Sequence, residues 1–248
     1  MGSRRVVACR MAVRLPKNVC RIVAVAFLSW AFWVPLCGAT TIIIIIERNR
    51  IVFGADSLLK GTIAGHASIC KIHADPSNCI FTIAGLHDSR AAGFDASTFA
   101  IRACKAKSSP TERARVFGEI VRPALERAVR CSDYDYHGIL VLEVLFAGFD
   151  GDRPSVVSKS FHLDKNSNVL IEGGHELPAL SFSVSGVRDA AQPFLNSHIG
   201  MPSASLARAS VEAQIRASPD KVAPPINVLI IEKNGYHWDL PSETCAPN

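Results

Sequence analysis

The chain has 248 residues, 48% hydrophobic and 20% charged, which suffices for one domain with a sizeable core and excludes a disordered chain or a polytopic membrane protein. Its net charge of +5 belongs to the first 39 residues, where Arg4, Arg5, Arg10, Arg14, Lys17 and Arg21 stand without an acid. Taking these six from 27 basic residues leaves 21 against 22 acidic ones, so the remainder gives no support to a nucleic-acid partner.

Residues 1–39 read as a leader. After Arg21 comes an apolar run from Ile22 to Leu36, then the small residues Cys37-Gly38-Ala39. That order is the signature of a secretory signal peptide cut after Ala39, and translation from Met11 would shorten its basic region. The competing reading is an uncleaved anchor, but the run of about 15 residues is short of the ~20 that span a bilayer. Cleavage makes the protein exported (periplasmic or secreted), with the membrane met only through the leader. Residues 40–248 are then a single mature domain. It keeps Cys70, Cys79, Cys104, Cys131 and Cys245, with no C-x-x-C; disulfides and buried thiols both stay open.

Thr40 to Ile46 is a β-branched run that suits a strand buried on both faces. A polar turn, Glu47 to Arg50, leads to a second strand, Ile51 to Ala55, as in a hairpin. Residues 57–68 are loop or short strands. Ser68 to His73 and Cys79 to Ala84 pair around the turn Asp75-Pro76-Ser77-Asn78. Helical spacing follows over Asp88 to Lys105 and Pro110 to Arg130. The second helix has Val116, Ile120, Val121, Ala124, Leu125 and Ala128 on its apolar face and Arg113, Glu119, Arg122, Glu126 and Arg127 on its wet face, and Pro123 should kink or split it. Strands are expected at Ile139 to Gly148, Ser155 to Leu163 and Ala179 to Ser185. Arg188 to Asn196 and Ser205 to Ser218 look helical. Ile226 to Lys233 and Tyr236 to Leu240 close the chain as strands around Asn234-Gly235. Blocks of strands and helices with tight turns indicate antiparallel sheets with helices layered outside, an α+β fold.

Three segments carry a family pattern: Thr40-Thr41 opening a strand; Ile51-Val52-Phe53-Gly54-Ala55-Asp56-Ser57; and Lys71-Ile72 followed by Ile80-Phe81-Thr82-Ile83-Ala84-Gly85-Leu86. Further on, Phe146-Ala147-Gly148-Phe149-Asp150-Gly151, Ser183-Val184-Ser185-Gly186 and Asp220 with Val222 to Ile226 continue it. The set resembles, in order over most of residues 40–240, the β-type subunits of the 20S proteasome and their bacterial relatives. The resemblance implies a four-layer αββα sandwich of two antiparallel sheets between helical layers, the N-terminal nucleophile (Ntn) hydrolase fold. It also implies a peptide or small amide substrate, assembly into a homo-oligomeric ring, and neither cofactor nor metal. The eight histidines (His66, His73, His87, His137, His162, His175, His198 and His237) show no metal-ligand spacing of their own and read as ordinary surface or core residues.

The chemistry follows from Thr40 becoming the first residue. A threonine hydroxyl needs a base, and a free α-amine, with a reference pKa of about 8, can serve as one. Only an N-terminal residue carries both groups on one Cα. By the resemblance, Thr40 is the nucleophile; Lys71 lowers the amine's pKa and Asp56 holds the lysine. Ser185 and Asp220 orient the amine from the other side, and the Gly85 amide is the oxyanion donor. Two departures matter. Ala39 replaces the family's usual glycine before the threonine, which points to signal peptidase rather than self-cleavage. The segment Asp220-Lys221-Val222-Ala223-Pro224-Pro225 lacks the family's serine, so a catalytically silent structural or binding subunit is the alternative.

Overall fold

The computed structural model describes residues 40–62, 65–75, 77–132, 136, 138–240 and 245; the leader and the cut after Ala39 lie outside them. The isoleucine run forms β1 (Thr41–Ile46), buried at every position. Its even residues, Ile42, Ile44 and Ile46, enter one core and its odd residues, Ile43 and Ile45, another, which is why alternation is missing from its sequence. The chain turns into β2 (Arg50–Ala55), antiparallel to β1 as expected. Next come β3 (Leu58–Thr62), β4 (Gly65–Ser68), β5 (Ile72–Asp75) and β6 (Cys79–Gly85). In the β5–β6 turn the Asp75 carboxylate accepts from the Ser77 amide at 2.7 Å, and Pro76 lies outside the described residues.

The helix expected from Asp88 begins later. Residues 88–95 form the short strands β7 (Asp88–Ser89) and β8 (Phe94–Asp95) around a turn of 3₁₀ helix, and α1 spans Ala96–Ala106. Asp95 is its N-cap, accepting from the Ser97 amide at 3.0 Å; a side chain that satisfies that amide fixes where the helix starts. α2 (Pro110–Arg130) opens on the Ser109 cap and runs unbroken through Pro123. Pro123 removes the bond to the Glu119 carbonyl, but both residues are exposed and water can take its place. Arg113 departs from its expected wet face. It is buried, donating to the carbonyls of Lys107 at 3.0 Å and Asn78 at 2.9 Å.

The second half supplies β9 (Leu140–Asp150), β10 (Arg153–Leu163), β11 (Leu170–Glu176), β12 (Phe182–Gly186), α3 (Ala191–Ser197), α4 (Ser203–Ala217), β13 (Asn227–Glu232) and β14 (Gly235–Leu240). Among the described residues the strands make two five-stranded antiparallel sheets, ordered β12-β1-β2-β13-β14 and β11-β10-β9-β6-β5, and the pairs β3-β4 and β7-β8. With four α-helices among the described residues, the fold is α+β. One core joins the sheets, with Ile42, Phe53 and Leu229 meeting Ile80, Leu145 and Val156. A second packs Phe117, Val121 and Leu125 of α2 on Phe81, Phe146 and Phe161, and a third packs Leu206 and Val211 of α4 on Ile43, Val52 and Ile230. The cysteines left open resolve in part into disulfides Cys70–Cys245 and Cys79–Cys104. Among the described residues no helix is long and apolar enough to cross a membrane.

Candidate active site

The start of β1 is clamped onto the end of β12. The Val187 amide donates to the Thr40 carbonyl at 2.7 Å, and the Thr41 hydroxyl donates to the Val187 carbonyl at 2.8 Å. This closeness demands glycine at 186. Gly186 has φ +81°, and a Cβ there would stand 1.9 Å from the Thr40 oxygen, a distance no side chain tolerates. Thr40 itself is buried.

Asp56 follows the last residue of β2 and turns its carboxylate back on β1. One oxygen accepts from the Thr41 amide at 2.8 Å; the other accepts from Lys71 Nζ at 2.7 Å. All three residues are buried, Asp56 and Thr41 fully and Lys71 to 2% exposure. The ammonium is therefore taken out of water beside one carboxylate. Burial pushes the Lys71 pKa below its usual value, and the Asp56 charge pulls it back up. A buried ion pair of this kind is kept by mutual dependence, since either charge alone would be stranded. Lys71 is held in turn by its carbonyl, which accepts from the Ile83 amide at 3.3 Å. That bond ties it to β6, which ends at Gly85. Gly85 has φ +91° and sits so close to β9 that a Cβ would lie 2.4 Å from the Val141 oxygen.

On the other flank, Ser185 pairs with Ile42 across β12 and β1. Its hydroxyl donates to a carboxylate, that of Glu143 on β9, whose second oxygen accepts from the Ser158 hydroxyl at 2.6 Å. Asp220 is exposed in the turn after α4. Ala223, half-buried in the same segment, gives its carbonyl to the Ser57 amide at 3.3 Å, and the Ser57 hydroxyl accepts from Asn227 Nδ2 at 2.7 Å. The structure thus sets Asp56 and Lys71 against Thr41, the residue after Thr40, with Ser185 on the adjoining strand, Gly85 at the end of β6 and Asp220 exposed in the turn after α4. Sequence reasoning missed Glu143. Its one signal was an acid at a core-facing position of an otherwise apolar strand, where acids are rare without partners.

His73, on β5 two residues past Lys71, stacks on Phe81 with ring centroids 4.6 Å apart. Burial pushes its pKa down to about 4. Among the described residues no group of three or more His, Cys, Asp or Glu is placed to hold a metal ion.

No protein-family model matches the chain, and no curated protein does. Solved structures do. Anbu (ancestral beta-subunit) from Yersinia bercovieri matches with 15% identity and a TM-score of 0.55, over 80% of this chain and 86% of that one. The Anbu (Gly-1) mutant from Hyphomicrobium sp. strain MC1 matches with 19% identity and a TM-score of 0.54, over 81% and 85%. The helical assembly of the Anbu complex from Pseudomonas aeruginosa matches with 15% identity and a TM-score of 0.53, over 77% and 81%.

The chain is folded like Anbu. This corrects the resemblance drawn from sequence. The neighbours are Anbu proteins, related to the β-type subunits of the 20S proteasome but distinct from them. The reason is that the short motifs Ala55-Asp56-Ser57, Lys71-Ile72 and Thr82-Ile83-Ala84-Gly85 describe strand ends around one carboxylate and one lysine. Related branches that share such strand ends are not told apart by them.

Proposed function

We propose that the chain is a proteasome-like N-terminal nucleophile hydrolase of the threonine type, cleaving peptide or small amide bonds with Thr40. The observation that carries this is the Asp56 carboxylate, which holds the Thr41 amide and the Lys71 ammonium at once, 2.8 and 2.7 Å away. A cation fixed there favours the neutral form of a neighbouring amine and the anionic form of a hydroxyl. Cleavage after Ala39 gives Thr40 its free amine as base; the amine takes the hydroxyl proton as the oxygen attacks the carbonyl. Ser185 orients the amine, and the Gly85 amide receives the developing oxyanion. Asp220, exposed in the turn after α4, is not needed for these steps.

The layers belong to the same proposal: helices α1 and α2, the two sheets, then α3 and α4 stack as αββα. The disulfides Cys70–Cys245 and Cys79–Cys104 suit an exported protein in an oxidising compartment. A homo-oligomer, ring or helical, is expected, since the Pseudomonas aeruginosa Anbu complex is a helical assembly. The alternative, a catalytically silent subunit, is favoured by Ala223, which supplies no hydroxyl. Intact mass of the exported protein, with amide and peptide turnover of wild type and Thr40→Ala, decides between them. A start at Thr40 and a loss of at least about a thousandfold in Thr40→Ala are expected. Equal turnover by both forms would exclude the threonine mechanism.

A further inference from the structure

We propose that Glu143 is a positioning residue of this site: from β9 it supplies the carboxylate that aligns Ser185 and, through Ser185, the Thr40 amine. The proposal rests on the threonine-type function above. Glu143 shares its face of β9 with Leu145 and Ala147, both in the core between the sheets. It is half-buried there, and each carboxylate oxygen accepts one serine hydroxyl. Ser158 comes from the neighbouring strand β10, whereas Ser185 comes from the other sheet. Glu143 therefore spans the two sheets where β1 begins.

The direction of these bonds has a chemical consequence. A hydroxyl has one proton, and Ser185 gives its proton to Glu143. Only lone pairs are left, so Ser185 can do nothing toward the amine except accept from it. Ser185 stands opposite Ile42, and Thr40 lies two residues before Ile42 on the same face, so Ser185 and Thr40 are diagonal neighbours across the strand pair. An amine that donates one N–H to a fixed acceptor has its remaining lone pair fixed as well. Glu143 thus does for Ser185 what the exposed Asp220 does not, and it stands in for the hydroxyl absent from Ala223.

The charge matters too. Of the charged groups on the elements meeting at Thr40, Asp56 after β2, Lys71 before β5 and Glu143 on β9 lie at the near ends; Arg50 and Asp150 stand at the far ends of β2 and β9, and His73 and Asp75 further along β5. Arg188 and Asp189 follow β12 and are exposed, and His87 follows Gly85. Lys71 depresses the amine's pKa and a carboxylate beyond Ser185 raises it, so removing Glu143's charge shifts the amine toward its neutral form.

The test uses the full chain, exported, processed and checked by intact mass, with pH profiles of kcat and KM. Glu143→Gln is expected to lower kcat about tenfold with KM unchanged, and to move the acid limb of kcat/KM down by about half a pH unit or more. Glu143→Asp should keep the limb in place and lose less. Ser185→Ala with Glu143→Gln should be no slower than Ser185→Ala alone, because one acts through the other. Should the glutamine variant fail to fold, Glu143→Asp carries the test, and a kcat equal to wild type overturns the proposal. It is equally overturned by a Glu143→Gln profile that overlays wild type, or by losses that multiply in the double variant. Turnover by Thr40→Ala equal to wild type would instead defeat the threonine mechanism, and Glu143's role with it.

Discussion

The two flanks of Thr40 are built on different physics. On the side of β2 and β5, a buried carboxylate and a buried ammonium face each other, and the carboxylate also carries a backbone amide of β1. On the side of β12 and β9, a half-buried carboxylate takes two hydroxyls, with no cation in that hydrogen-bonded set. The ion pair is indivisible, because each charge needs the other to be tolerated. The hydroxyl network carries no such demand, since a serine hydroxyl is neutral and its loss strands no second charge. This explains why the first flank keeps the residue types that its motifs imply, while the second has lost a serine and draws its acid from elsewhere.

Breaking the ion pair should have the largest effect. Lys71→Met removes the cation beside the buried Asp56 carboxylate and is expected to cost about 3–5 kcal/mol in denaturant unfolding and at least about a hundredfold in turnover. Adding Asp56→Leu should restore much of the stability and none of the activity. A double variant that stays as unstable as Lys71→Met would show that the pair is not the source of the loss.

The clamp between the flanks is the next place to press. Gly186→Ala puts a methyl group 1.9 Å from the Thr40 oxygen and at φ +81°. Strain and displacement together should cost at least about 2 kcal/mol. Because the displaced atoms are those of Thr40, the proposed nucleophile, kcat should fall further than stability alone accounts for. Wild-type kcat in a folded Gly186→Ala protein would mean that Thr40 need not be held against β12.

The charged flank should also be the acid-sensitive one. His73 on β5 has its folded pKa pushed down to about 4 by burial, whereas an unfolded histidine titrates near 6.5. Between these values the unfolded state binds more protons, so stability is intact above pH 6.5 and declines as pH falls toward 4. At pH 5 the loss from this group is about 2 kcal/mol. His73→Phe should flatten that decline, read as unfolding midpoints from pH 7 to 5; an unchanged slope would place the sensitivity elsewhere.

What the sequence could and could not disclose follows the same division. The run Thr41 to Ile46 announces a strand buried on both faces, and the Asp56–Lys71 pairing was legible because each sits at a strand end with recognisable neighbours. β11 was invisible, for Leu-Ile-Glu-Gly-Gly-His-Glu is an edge strand whose side chains are mostly exposed, so no apolar alternation marks it. The late start of α1 hung on one side chain, since Asp95 caps the helix instead of continuing it. Glu143 lay beyond local reading because its partners are 15 and 42 residues away. Tertiary hydrogen bonds of that span leave no periodic trace.

The smallest effect is expected from restoring what the second flank lacks. Ala223 is half-buried, and its carbonyl is already engaged by the Ser57 amide, so Ala223→Ser adds a hydroxyl without moving the backbone. If Glu143 already fixes the direction of Ser185, the new hydroxyl has little left to organise. The kcat should then change by no more than about twofold, within the ±0.5 kcal/mol or so of a substitution that breaks no contact. A rise of tenfold or more would show that the flank was incomplete, and that its carboxylate had not replaced the missing serine. The same variant in a Glu143→Gln background sharpens the point, for there a hydroxyl at position 223 should recover part of the lost rate if the two groups serve one amine.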